Sequence, residues 1–151
     1  MSYLHRAATL LRQHEGLKLT PYRCTAGALT IGYGHNIDAN GLPPAIKANL
    51  DRDGKITQAD AEALLLADVQ MAEVDCRRLF PRFEGFTDAR KAALIDWLFN
   101  LGKTRAMTFR QSIHLVNRGL WEEAADEMLN SQWAKQVGQR AVTITDMVRE
   151  G

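Results

Sequence analysis

Residues 14–36 read HEGLKLTPYRCTAGALTIGYGHN, and this stretch decides the fold. It holds four glycines, one carboxylate, one cysteine and two histidines within 23 positions, a mixture that a plain core segment does not need. Before it, Leu4, Ala7, Ala8 and Leu11 repeat at helical spacing and predict a first helix over residues 3–14, stopped by Gly16. Within it the period shortens. Leu17 and Leu19, a turn at Ala26-Gly27, and then Ala28 to Tyr33 predict a small antiparallel sheet.

Downstream the pattern is helical. Residues 37–56 are loop-rich, with at most one short helix after Pro43-Pro44. Thr57 and Asp60 have the spacing of a capping box, with Asp in place of Glu or Gln, and open a long helix over 58–79. That helix carries Ala61, Leu64, Leu65, Val69, Ala72 and Cys76 on one stripe, and Pro81 ends it. Thr87 or Asp88 caps the next helix, whose run AALIDWLFNL is apolar nearly all round, as in the centre of a bundle. Further helices are predicted at 108–117, 121–130 and 138–149. The expected fold is α+β, mostly α. One domain spans 1–151, with a sheet-bearing N-terminal lobe at about 14–57, a connecting helix at 58–79, and a helical C-terminal lobe at 80–151 that takes in helix 3–14.

Composition bounds the partners. With 46% apolar and 25% charged residues the chain can build a core. Its 19 basic and 18 acidic groups are interspersed, so neither nucleic acid nor an anionic membrane is indicated as a partner. The N-terminus lacks the apolar run of a secretory signal, and no stretch approaches the roughly 18 apolar residues of a membrane span. Two cysteines, Cys24 and Cys76, are too few for a disulfide framework and lack metal-ligand spacing. Cys76 lies on an apolar stripe and reads as a small buried residue.

Glu15 is the chemical focus. It closes the first helix, where the negative end of the macrodipole disfavours a carboxylate, and a carboxyl that keeps its proton suits a general acid. Glu15-Gly16-Leu17, Tyr22, Cys24-Thr25, Gly27 and Thr30-Ile31-Gly32-Tyr33-Gly34-His35 together resemble the signature of the phage-type lysozymes, glycoside hydrolase family 24. That family has Glu, then Asp or Cys nine positions on, then Thr six further on. The likeness extends through AALIDWLFNLG (92–102), TFRQSIHLVNRGLWEEAADEMLNSQW (108–133) and GQRA (138–141).

The resemblance implies a muramidase acting on peptidoglycan without a cofactor or metal. Glu15 would protonate the leaving glycosidic oxygen, and Cys24 with Thr30 would position water on the opposite face of the sugar. A thiol, with an unperturbed pKa of about 8.5, is an unusual base. It could instead attack the sugar as a nucleophile. The resemblance further implies that His35 pairs with Asp68, that Arg140 supports the catalytic Glu, and that Asn36, Phe99 and Ser112 line the saccharide groove. Phe99 equally suits plain core. It implies a monomeric endolysin that waits in the host cytoplasm, without stable membrane association, until a separate holin releases it to the wall.

Two rival readings compete. NLDRDGKITQAD (49–60) places Asn49, Asp51, Asp53, Gly54, Lys55, Thr57 and Asp60 at EF-hand positions, although a calcium loop wants Asp first and Glu last. The alternative function is therefore a non-enzymatic calcium-binding module. A wall-binding relative or a toxin domain would keep the fold without the muramidase role, and intact Glu15, Cys24 and Thr30 argue against either.

Overall fold

The structure, a computed structural model, describes residues 2–151. It is 70% helical with one three-stranded antiparallel sheet, an α+β, lysozyme-like fold as expected. The chain forms two compact units, one of residues 11–68 and one of residues up to Leu10 together with Val69–Gly151.

Helix α1 (Tyr3–Glu15), whose residues from Leu11 onward belong to the first unit, ends at Gly16, which takes the left-handed conformation at φ 71°. Strands β1 (Lys18–Arg23), β2 (Leu29–Gly32) and β3 (His35–Asn36) follow as a meander in the order β1-β2-β3. Their register sets Tyr22 opposite Thr30, Thr30 opposite Asn36, and Ile31 opposite His35, with an irregularity in β1 between Lys18 and Tyr22. Ile31, Tyr33, Ile46, Ile56, Ala61, Leu64 and Leu65 are buried here. The Ile56 amide bonds to the Leu19 carbonyl at 2.9 Å, which fastens the loop before the long helix to the sheet.

Residues 37–56 correct the sequence reading. The short helix expected after Pro43-Pro44 is present as a ten-residue α3 (Pro44–Asp53), and α2 (Ile37–Asn40) before it was not expected. Ile46 is the only residue of α3 that is buried, so no apolar stripe announces it. Its signals are local: Pro44 in the first turn, and Gly54 at the C-terminus with φ 73°.

The same region removes the calcium-loop alternative. Asn49, Asp51 and Asp53 lie in α3, whereas Asp60 lies in α4 (Gln58–Leu79). Their carboxylates are also engaged: Asp51 with Lys47, Asp53 with Arg52, and Asp60 with the Asn49 amide and the Thr57 backbone. The capping box forms as expected, with the Thr57 amide on Asp60 Oδ2 and the Asp60 amide on Thr57 Oγ1, both at 3.0 Å.

In the second unit, α5 (Asp88–Leu101) is the central helix, buried from Ala89 to Leu98 save for Arg90 and capped by the Thr87 hydroxyl. The chain continues through α6 (Lys103–Ala106), α7 (Arg110–Asn117), α8 (Trp121–Leu129), α9 (Gln132–Val137) and α10 (Gln139–Glu150). Of these, α6 and α9 are too short to show a period. Helix α10 packs on α5 and α8, and α7 packs on α8. Trp97 meets Phe109 edge-on at 5.7 Å, and the buried Trp133 donates its indole N–H to Asn100 at 2.7 Å. Cys76 is fully buried and free, and burial pushes its thiol up. Among the described residues no helix is long and apolar enough to cross a membrane.

Candidate active site

The turn after β1 is built around Cys24. Its amide donates to the Ala28 carbonyl at 3.0 Å, and its carbonyl accepts from Gly27 at 2.8 Å. Gly27 supplies the φ of 85° that closes the turn. The turn leaves the Cys24 sulfur half-buried beside the backbone of residues 26–28. Burial pushes the Cys24 thiol up, but hydrogen bonds from Ala28, Ala26, the Thr30 hydroxyl and Gly27 outweigh it and hold the thiol below its usual range.

Thr30 is buried on β2, and its hydroxyl donates to the Ala28 carbonyl at 2.8 Å. A hydroxyl has one proton and two acceptor lone pairs. With that proton on Ala28, the oxygen is left to accept; when the sulfur is ionised, the proton can turn toward it.

Glu15 is held against the β2–β3 turn. A methyl group built on Gly34 would lie 2.6 Å from Glu15 Oε1 and 2.8 Å from its Cδ. Gly34 also has φ 72°, so backbone conformation and space both require glycine there. Tyr22 relates this carboxyl to Cys24. Burial first, and then the charges of Glu15 and Cys24, raise the Tyr22 phenol above its ordinary value, so this half-buried side chain feels both groups. The Lys18 ammonium sits over the Tyr22 ring, 4.8 Å from its centre.

His35 is not poised as a base. Its Nδ1 lies 2.8 Å from Asp68 Oδ2, and its Nε2 lies 2.7 Å from the Gly41 carbonyl. With an acceptor on each side, both ring nitrogens act as donors only in the imidazolium. Burial lowers its pKa, but Asp68 and the Gly41 carbonyl outweigh that and raise it overall. Asn36 turns its side-chain oxygen to the Ala39 amide, 2.9 Å away, and caps α2.

Glu15, Cys24, Thr30, His35, Asn36 and Asp68 belong to the 11–68 unit, while Phe99, Ser112 and Arg140 belong to the other unit. Phe99 is half-buried on α5, and Ser112 is buried on α7. Arg140 donates from Nε at 3.0 Å and Nη2 at 2.7 Å to Oδ1 of Asp96, which is fully buried. Asp96 was missed from sequence, although a lone carboxylate in an otherwise apolar helical run was the available signal. Tyr22 and Gly34 entered the sequence reading only as parts of the motif. Among the described residues no three His, Cys, Asp or Glu side chains are grouped so as to hold a metal.

Comparison with known proteins follows the same residues. The family model described as Phage lysozyme matches residues 12–148. The chain is 31% identical to a probable T4-type lysozyme of Dictyostelium discoideum, over 94% of this chain and 92% of that protein. It is also 31% identical to the endolysin of Acyrthosiphon pisum secondary endosymbiont phage 1, over 93% and 86% of the two chains. A third relative is the pre-baseplate central spike protein Gp5 of Enterobacteria phage T4, at 28% identity, where 95% of this chain matches 28% of the longer protein. The extent of these matches establishes that the chain belongs to the phage lysozyme family of glycoside hydrolases.

Proposed function

We propose that this protein is an endolysin-type muramidase that hydrolyses the β-1,4 bond between N-acetylmuramic acid and N-acetylglucosamine in peptidoglycan. Glu15 gives its proton to the glycosidic oxygen as the bond from that oxygen to C1 breaks. Water attacks C1 from the opposite face and passes its proton to the Cys24 sulfur, with Thr30 orienting the water. The result is inversion at C1, the outcome when acid and base stand far enough apart to admit a water.

The carrying observation is the amide-lined turn around Cys24, which favours the thiolate that proton acceptance needs. Tyr22 supports a common neighbourhood, because it responds to the charges of both Glu15 and Cys24. Arg140 is assigned a supporting role, as are His35 and Asp68. Asn36, Phe99 and Ser112 are assigned to the saccharide groove.

The chain acts as a monomer, stays in the host cytoplasm until a holin opens the membrane, and then cleaves the wall for host lysis. Glu15→Gln keeps the shape of the side chain and removes the transferable proton. Purified wall should still bind this variant while release of reducing ends falls at least about 10²-fold, the usual share of general-acid catalysis. Cleavage at near the parent rate would place the acid elsewhere.

A further inference from the structure

In the helical unit, an open pocket of about 470 Å³ is lined by Arg82, Gly85, Phe86, Val116, Gly119 and Trp121. Its volume lies within the roughly 300–1,000 Å³ typical of small-molecule sites. None of the residues assigned to catalysis or to the saccharide groove lines it.

The lining has one chemical character. Phe86 and Trp121 meet edge-to-face, with ring centres 4.9 Å apart, and form an aromatic wall. The Arg90 guanidinium stacks 4.1 Å from the centre of the Trp121 ring while its N–H groups bond to the carbonyls of Val148 and Arg149. Arg90 therefore fixes the indole and has little left for a ligand. Arg82 differs, for its exposed guanidinium has no hydrogen-bond or ion-pair partner among the described residues. The Trp121 indole N–H likewise has no acceptor there. No carboxylate lines the pocket, and the adjacent Glu84 and Glu122 are paired with Arg77 and Arg149. The pocket thus offers an apolar wall, two unused donors and one uncompensated positive charge.

We infer that this pocket binds the carboxylate-bearing peptide stem of peptidoglycan together with its N-acetylmuramyl sugar, as a contact separate from bond cleavage. The inference rests on the muramidase reading, because that substrate displays such stems along its glycan strands. A carboxylate pairs with the Arg82 fork, an amide carbonyl accepts from the Trp121 indole, and an apolar face lies on the rings. A neutral sugar would leave Arg82 unused, and phosphate usually calls for several converging donors. Affinity for one stem should be weak, with a Kd on the order of 1 mM, because a single exposed ion pair contributes little. On a polymer, a second weak contact still lengthens residence by effective concentration.

The test follows the Trp121 indole N–H by NMR as the full chain is titrated with muramyl dipeptide, N-acetylglucosamine or acetate. Trp97 and Trp133 are buried and serve as internal references. A saturable Trp121 shift with muramyl dipeptide is expected, weakened by up to about fivefold in Arg82→Ala and partly restored in Arg82→Lys. No shift up to about 10 mM, equal affinity in Arg82→Ala, or an equal response to N-acetylglucosamine would overturn the inference. Reducing-end release from purified wall by the same preparation keeps the two readings apart. Cleavage without a Trp121 response sinks the pocket assignment alone. A Trp121 response without cleavage supports the pocket and counts against the muramidase reading.

Discussion

The Glu15 carboxyl lies against the bare Cα of Gly34, so close that a methyl group there would stand 2.6 Å from Oε1. Gly34→Ala should therefore do two things. At φ 72° an L-residue is strained, at a cost of about 1–3 kcal/mol in stability. The clash also displaces the carboxyl, and a shift on the order of 1 Å can cost 10²-fold in rate. Gly54→Ala separates these effects, because Gly54 has φ 73° but nothing within 4 Å of its Cβ position. Both variants should lose stability by chemical denaturation, and only Gly34→Ala should lose wall hydrolysis per folded molecule. Equal activity of the two would break the link between Gly34 and the acid.

A second prediction concerns pH. The folded state raises the His35 pKa above its ordinary value of 6.5, through Asp68 and the Gly41 carbonyl acting against burial. A raised pKa means that folding favours the protonated ring. The stabilisation is fully present below about pH 6.5 and is lost as pH rises through the folded value. Asp68→Asn should flatten that dependence and cost about 3–5 kcal/mol at acidic pH, the range for breaking a buried pair. Denaturation midpoints measured from pH 5 to 9 decide it, and an unchanged slope in Asp68→Asn would refute the assignment.

What sequence could and could not reveal follows from how local each signal is. The Thr57–Asp60 box spans three residues, and both of its hydrogen bonds are present. The bounds expected for the long helix, 58–79, coincide with Gln58–Leu79 because cap, stripe and terminating proline all agree. Helix α3 was expected only as a short helix after Pro43-Pro44, because its signals are a proline and a glycine around a polar surface. Glu15, Cys24 and Thr30 were legible as a spacing. The amides turned toward the Cys24 sulfur depend on the conformation of residues 24–28, which no spacing encodes. Gly34 under Glu15 and Asp96 beside Arg140 are pairings at a distance in the chain, and those appear only once it is folded.

Asp96 and Arg140 supply the third prediction. Their side chains are 0% and 10% exposed, so Asp96→Ala takes from a buried guanidinium the carboxylate oxygen that its Nε and Nη2 both use. Asp96→Ala should destabilise by about 3–5 kcal/mol. Asp96→Asn keeps an oxygen acceptor for the guanidinium and should cost distinctly less. Urea unfolding of the two variants checks this ordering. A loss below about 1 kcal/mol in Asp96→Ala would show that the pair contributes no more than a surface salt bridge.

The last prediction separates three roles for Cys24. As the group that takes the water's proton, it must be ionised, so wall hydrolysis should rise with pH as the thiol loses its proton. The turn amides and the Thr30 hydroxyl hold that thiol low, and Thr30→Val removes one of these donors. The rising limb of the pH profile should then move to higher pH. Cys24→Asp supplies a carboxylate that is already ionised at lower pH, so it should stay active and move the limb down. If Cys24 only packs, Cys24→Ala would cost stability and leave activity per folded molecule intact, with no change in the limb. If the sulfur attacks C1, the first product keeps the β configuration and a thioglycosyl-enzyme forms, whereas water attack gives the α anomer. Early-time NMR of the released saccharide distinguishes these routes, and the α anomer is the expected result.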